Sequence, residues 1–236
     1  MIDISTTVRY GPQDEEPVEA RVTIDDGLTV RSEEWATSIA PSAVFDVHVG
    51  PPPAAATETF SGSVLVVGFE ADDGREVLLV DATESTLDNV AGVLYRRLLN
   101  DIETVVSHPT KIGGRVTDKS SEIGRLLVAP GKVGCRGVNS PFSIDLETIV
   151  DFSRSAETLM GERRPVITIK YVKQGVAVSL KLSLSSARKQ HLLGRVLRRD
   201  YDRVRGSLQQ LDLPRPAFRA LVKLYSLQGT APPETL

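Results

Sequence analysis

An internal repeat constrains this chain more than any other feature. Residues Pro165 to Asp202 read as strand, tight turn, strand and amphipathic helix, and the same unit occurs 102 residues earlier without a gap. In the later copy Ile167, Ile169 and Tyr171 alternate with Thr168 and Lys170. Val178, Leu180, Leu182 and Leu184 alternate with Ser179, Lys181 and Ser183. Successive strand side chains point to opposite faces, so this pattern predicts a sheet with one buried face. Gln174-Gly175 supplies a permissive turn, and Ser185 and Ser186 are suited to accept hydrogen bonds from the first free helical N–H groups. Leu193, Val196, Leu197, Tyr201, Val204 and Leu208 then form one stripe at helical spacing. In the earlier copy Val64, Leu65, Val67 and Phe69 match Val166, Ile167, Ile169 and Tyr171, and Leu78 and Val80 match Leu180 and Leu182. Gly92 matches Gly194, Arg96-Arg97 matches Arg198-Arg199, and Ile102 matches Val204. Two copies of one domain are therefore expected.

A length of 236 residues has room for two domains of that size. Residues 1–19 are polar and acidic, broken by Gly11-Pro12 and Glu16-Pro17, and read as a loose arm with at most a short strand at Thr6 to Tyr10. The first domain then covers 20–106, a linker 107–122, the second domain 123–210, and a short C-terminal helix lies within 211–236. Asp25-Asp26-Gly27 predicts a hairpin turn, and Gly131 holds the matching place in the second copy. Asp151 falls where Asp46 does. Trp35 reads as a core anchor, and the first helix is expected from about Thr86 to Thr104. The fold class is mainly β with helices (α+β). Each domain is a curved antiparallel sandwich of several short strands closed by its C-terminal helix, an architecture of pleckstrin-homology-like type.

Charge separates the halves. Residues 1–110 hold 20 acidic and 6 basic residues, whereas 111–236 hold 11 and 22. A basic half fits nucleic acid, an acidic partner, or the acidic half of a second copy. No apolar run approaches the ~20 residues of a membrane span, and the N-terminus has no secretory pattern; the expected place is the cytoplasm. Cys135, the single cysteine, has no internal partner for a disulfide. His48, His108 and His191 show no metal-ligand spacing, and no nucleophile sits in a recognisable turn motif. The reading is of no enzyme, no metal and no cofactor. Arg188, Lys189, Arg195, Arg198, Arg199, Arg203 and Arg205 line the second helix, but few aromatics interleave and no recognition-helix motif is complete. A nucleic-acid- or histone-binding tandem module stands as the rival to a protein-binding one.

The segment Ser107 to Asp118, SHPTKIGGRVTD, resembles a signature of the archaeal taxis adaptor family CheF, carried by His108-Pro109, Gly113-Gly114 and Val116-Thr117-Asp118. Ala220 to Ser226, ALVKLYS, is similar to the helix that opens the C-terminal tail of that family. The resemblance covers about residues 20–228, with a shortened tail after Ser226. It implies tandem pleckstrin-homology-like halves, a homodimer without catalytic activity, and an adaptor joining the response regulator CheY to the switch proteins of the archaellum motor. On that basis Arg198, Arg199, Phe218, Leu221 and Tyr225 are the expected partner-binding residues.

Overall fold

The computed structural model describes residues 2–11 and 16–209, with the side chains of 203–205 and 207–209 outside that description. The chain divides into two compact units, residues 1–100 and 101–236.

Unit 1 contains β1 (Ile2–Tyr10), β2 (Val18–Ile24), β3 (Leu28–Arg31), β4 (Ala36–Ile39), β5 (Val44–Gly50), β6 (Val64–Ala71) and β7 (Gly74–Asp81), followed by α1 (Glu84–Leu99). The strands form one antiparallel sheet in the order β4-β3-β2-β1-β7-β6-β5. Unit 2 contains β8 (Glu103–Ile112), β9 (Arg115–Val116), β10 (Glu122–Ala129), β11 (Lys132–Arg136), β12 (Phe142–Asp145), β13 (Ile149–Leu159), β14 (Glu162–Lys173) and β15 (Val176–Leu184), then α2 (Ala187–Gln209). Its order is β12-β11-β10-β8-β15-β14-β13, with β9 off this path and paired to β8. The mainly β, α+β reading of the sequence holds, with one helix ending each run of strands.

The repeat is visible residue by residue. Leu65, Val67, Leu78 and Val80 in unit 1 are fully buried, and so are Ile167, Ile169, Leu180 and Leu182 at the matching positions in unit 2. Val67 pairs with Leu78 and Ile169 with Leu180, one register 102 residues apart. A bulge interrupts both outermost pairs at the matching place, between Val44 and Asp46 and between Ile149 and Asp151. Because β5 runs into the 51–63 connection while β13 turns back at once through Met160-Gly161, both at positive φ, these two strands correspond at an offset of 105 rather than 102.

Three sequence expectations are corrected. The N-terminal arm is mostly β1, a central strand that pairs with β2 on one side and β7 on the other. Its polar Ser5, Thr6 and Thr7 hid a strand that needs only one apolar face, and Val8 is fully buried. The expected linker is likewise structural: β8 pairs with β15 from Thr104↔Leu184 to Ile112↔Val178 and is central in its own sheet. The first helix stops at Leu99, five residues before the expected end. Asp101 enters the left-handed region at φ 63, which aspartate tolerates better than most residues. Its amide donates to the Leu126 carbonyl at 2.9 Å, so Ile102 leads into β8 instead of continuing the helical stripe.

Candidate partner-binding face

The signature segment folds as a hairpin. His108 and Pro109 lie on β8, Gly113 (φ 54) and Gly114 (φ 82) make the two-residue turn, and Val116 closes β9. Both turn positions need left-handed backbone, which glycine adopts without steric penalty. Gly113 donates its amide to the Ala177 carbonyl at 2.8 Å, and Thr117 donates its amide to the Thr110 carbonyl at 3.0 Å. The Thr117 hydroxyl donates to the Pro109 carbonyl. Asp118 is exposed just beyond the hairpin.

His108 is held from two sides. Its ring stacks on Phe142 with centroids 4.0 Å apart, and Nε2 hydrogen-bonds the Tyr171 hydroxyl at 2.7 Å. Burial, with a smaller contribution from Lys173, pushes its pKa down to about 4. A neutral imidazole locked between two aromatic side chains is a packing element here. The signature residues therefore shape the centre of the sheet of unit 2.

The face formed by α2 and β13 is different. Phe152 on β13 meets Tyr201 edge-on at 5.9 Å, and the Arg198 guanidinium lies 5.3 Å above the Phe152 ring. Arg154, two residues along the same strand face, reaches α2 at Gly194. A Cβ at that glycine would stand 1.6 Å from Arg154 Nη2. The repeated glycine thus has a local reason in unit 2, whereas nothing lies within 4 Å of a Cβ at Gly92. Arg198 is exposed, while Arg199 is turned toward the buried Asp200, with Nη2 3.6 Å from Oδ1. The structure separates the two arginines that the sequence paired as one candidate site. Phe218, Leu221 and Tyr225 lie outside the described residues. The sequence reading missed Phe152 and Arg154, which sit in a polar-looking stretch and become a face only through their contacts with α2.

Among the described residues no group of three or more His, Cys, Asp or Glu is placed to hold a metal ion. Cys135 is buried, and burial pushes its thiol pKa up, away from the reactive thiolate. Among the described residues no helix is long and apolar enough to cross a membrane.

Comparison with known proteins agrees with the hairpin signature. Residues 6–203 match the family described as archaeal chemotaxis signal transduction system protein F. The chain is 29% identical over 212 residues to the taxis protein CheF2 of Halobacterium salinarum, covering 89% of this chain and 73% of that protein. It is 26% identical over 154 residues to the taxis protein CheF1 of the same organism, covering 64% of this chain and 51% of that protein. The match spans both units and includes the His108–Asp118 hairpin, and the chain belongs to the archaeal chemotaxis signal transduction protein F family.

Proposed function

We propose that this taxis protein is a non-catalytic cytoplasmic adaptor that links the response regulator CheY to the switch proteins of the archaellum motor, acting as a homodimer. The family match over residues 6–203 carries the reading, because it takes in both units. Each unit is read as pleckstrin-homology-like, a reading supported by seven antiparallel strands in one repeated order followed by a helix. Such scaffolds serve as binding platforms, and function on them lies in the surfaces they present. The exposed Arg198, stacked on Phe152, offers a cationic and aromatic surface of the kind that recognises acidic partners.

The test is co-purification from an archaeal lysate with tagged full-length chain and the response regulator in an active, phosphate-mimicking state. Recovery of CheY together with switch proteins is the expected result. Phe218→Ala with Tyr225→Ala should lower that recovery while leaving the melting temperature in place. Recovery of nucleic acid alone would overturn the adaptor reading in favour of the nucleic-acid-binding alternative, which the basic second half keeps in view.

A further inference from the structure

Edge strands carry a row of N–H and C=O groups without a strand partner, and proteins usually blunt them. Unit 1 does so. At Val47, in the middle of edge strand β5, the amide donates to Asp46 Oδ1 at 3.0 Å, and the carbonyl accepts from the Tyr95 hydroxyl at 2.5 Å. Both main-chain groups that face away from β6 are thereby satisfied, one of them by a side chain of α1.

Among the described residues, unit 2 lacks both caps. Val47 pairs with Val67 and Phe152 with Ile169, so Phe152 is the counterpart of Val47. The residue matching Tyr95 is Leu197, which is buried and has no donor. The residue matching Asp46 is Asp151, whose carboxylate is instead held by Lys170 at 2.8 Å. Among the described residues nothing caps the main-chain groups of Phe152, which face outward, and strand alternation places those of Arg154 and Ala156 on the same edge. β13 is also the longer edge, 11 residues against 7 in β5, and among the described strands it pairs only with β14.

Charge defines what this edge accepts. The two acids of β13 are both neutralised within the unit, Asp151 by Lys170 and Glu157 by Lys181. Arg154 and Arg198, beside the edge, make no ion pair among the described residues and are exposed. Pairing of β13 with β13 of a second copy centred on Arg154 would oppose arginine to arginine and Asp151 to Glu157. Like charges opposite one another disfavour that arrangement.

We infer that the open edge of β13 is a docking site for an extended acidic segment of a partner protein, added as an extra strand against α2. Main-chain hydrogen bonds to Phe152 and Arg154 supply the strand pairing, and carboxylates of the segment meet Arg154 and Arg198. The inference rests on the two sheets and is independent of the taxis adaptor reading.

A fluorescein-labelled, strand-length synthetic peptide alternating valine and glutamate tests it on the full-length chain by anisotropy. The acidic peptide should bind and protect the Phe152 and Arg154 amides from hydrogen exchange. Its lysine counterpart should not bind. The double variant Arg154→Glu with Arg198→Glu should weaken binding at least tenfold, and a peptide N-methylated at alternate residues should weaken equally against the unmodified protein. The N-methylated probe keeps the test decisive if the double variant fails to fold. No binding of the acidic peptide, equal binding of the N-methylated one, or its displacement by a random DNA duplex at low salt would overturn the inference.

Discussion

Tyr95 offers a sharp test of how unit 1 closes its edge. Substituting phenylalanine keeps the ring and removes only the hydroxyl that donates to the Val47 carbonyl. Tyr95 is 2% exposed and Val47 is fully buried, so water has poor access to the abandoned acceptor. A buried acceptor left without its donor costs about 1–3 kcal/mol. With a urea dependence of about 1–1.5 kcal/mol per molar for a domain near this size, the unfolding midpoint of unit 1 should fall by about 0.7–3 M at an unchanged slope. The reporter is built in: Trp35, the single tryptophan, lies in unit 1 with its ring 5.2 Å from Tyr10. Intrinsic fluorescence in a urea titration of wild type and Tyr95→Phe therefore follows the unit that is perturbed. A midpoint shared by the two proteins would refute the reasoning, because it would mean that the Val47 carbonyl loses nothing when its cap is removed.

Two further predictions concern positions where local geometry decides the sign. A Cβ on Gly134 would lie 2.2 Å from the Phe142 carbonyl oxygen and 2.9 Å from the Ser143 Cα, backbone atoms of β12 that have no free rotation to escape. Gly134→Ala should destabilise unit 2 by about 1–3 kcal/mol, seen as an earlier loss of β-sheet circular dichroism in urea; an unchanged curve would show that β11 and β12 are further apart than this. His108 has its pKa lowered to about 4, so between its unfolded value near 6.5 and pH 4 the unfolded chain binds the extra proton and stability must fall as pH falls. His108→Phe keeps the stack on Phe142 and should flatten that part of the melting-temperature profile relative to wild type, whereas parallel profiles would show that His108 binds its proton equally well in the folded and unfolded chain.

The repeated hairpin and helix were legible because three signals coincide there: period-two alternation, turn residues between the strands, and a helical stripe directly after. The residues that match across the copies, such as Val67 with Ile169 and Leu78 with Leu180, are buried in both. β1 and β8 were harder. Each is central, and its place is secured by hydrogen bonds on both sides rather than by an apolar pattern. In β8 the punctuation of Pro109 and Gly113-Gly114 gives the appearance of a linker, although the glycines only turn the chain into β9. The candidate site was legible in part. Arg198 could be named from its position on α2, but its separation from Arg199 depends on the neighbouring Phe152 and Asp200. The open edge left a trace in the sequence as a mismatch, tyrosine at 95 against leucine at 197, which means nothing until the register shows that Tyr95 caps a strand.

The central placement of β1 and β8 bears on how the protein is made. Each is the opening strand of its unit, yet each pairs with the closing strand, as in Val8↔Val80 and Thr104↔Leu184. Emerging from the ribosome, the first strand of either unit can join its near hairpin neighbours at once but must wait for the last strand before the sheet is continuous. Such long-range closure slows folding. It also lets nearly an entire unit leave the ribosome with one side of its central strand unpaired, an exposed edge during synthesis that is absent from the finished fold.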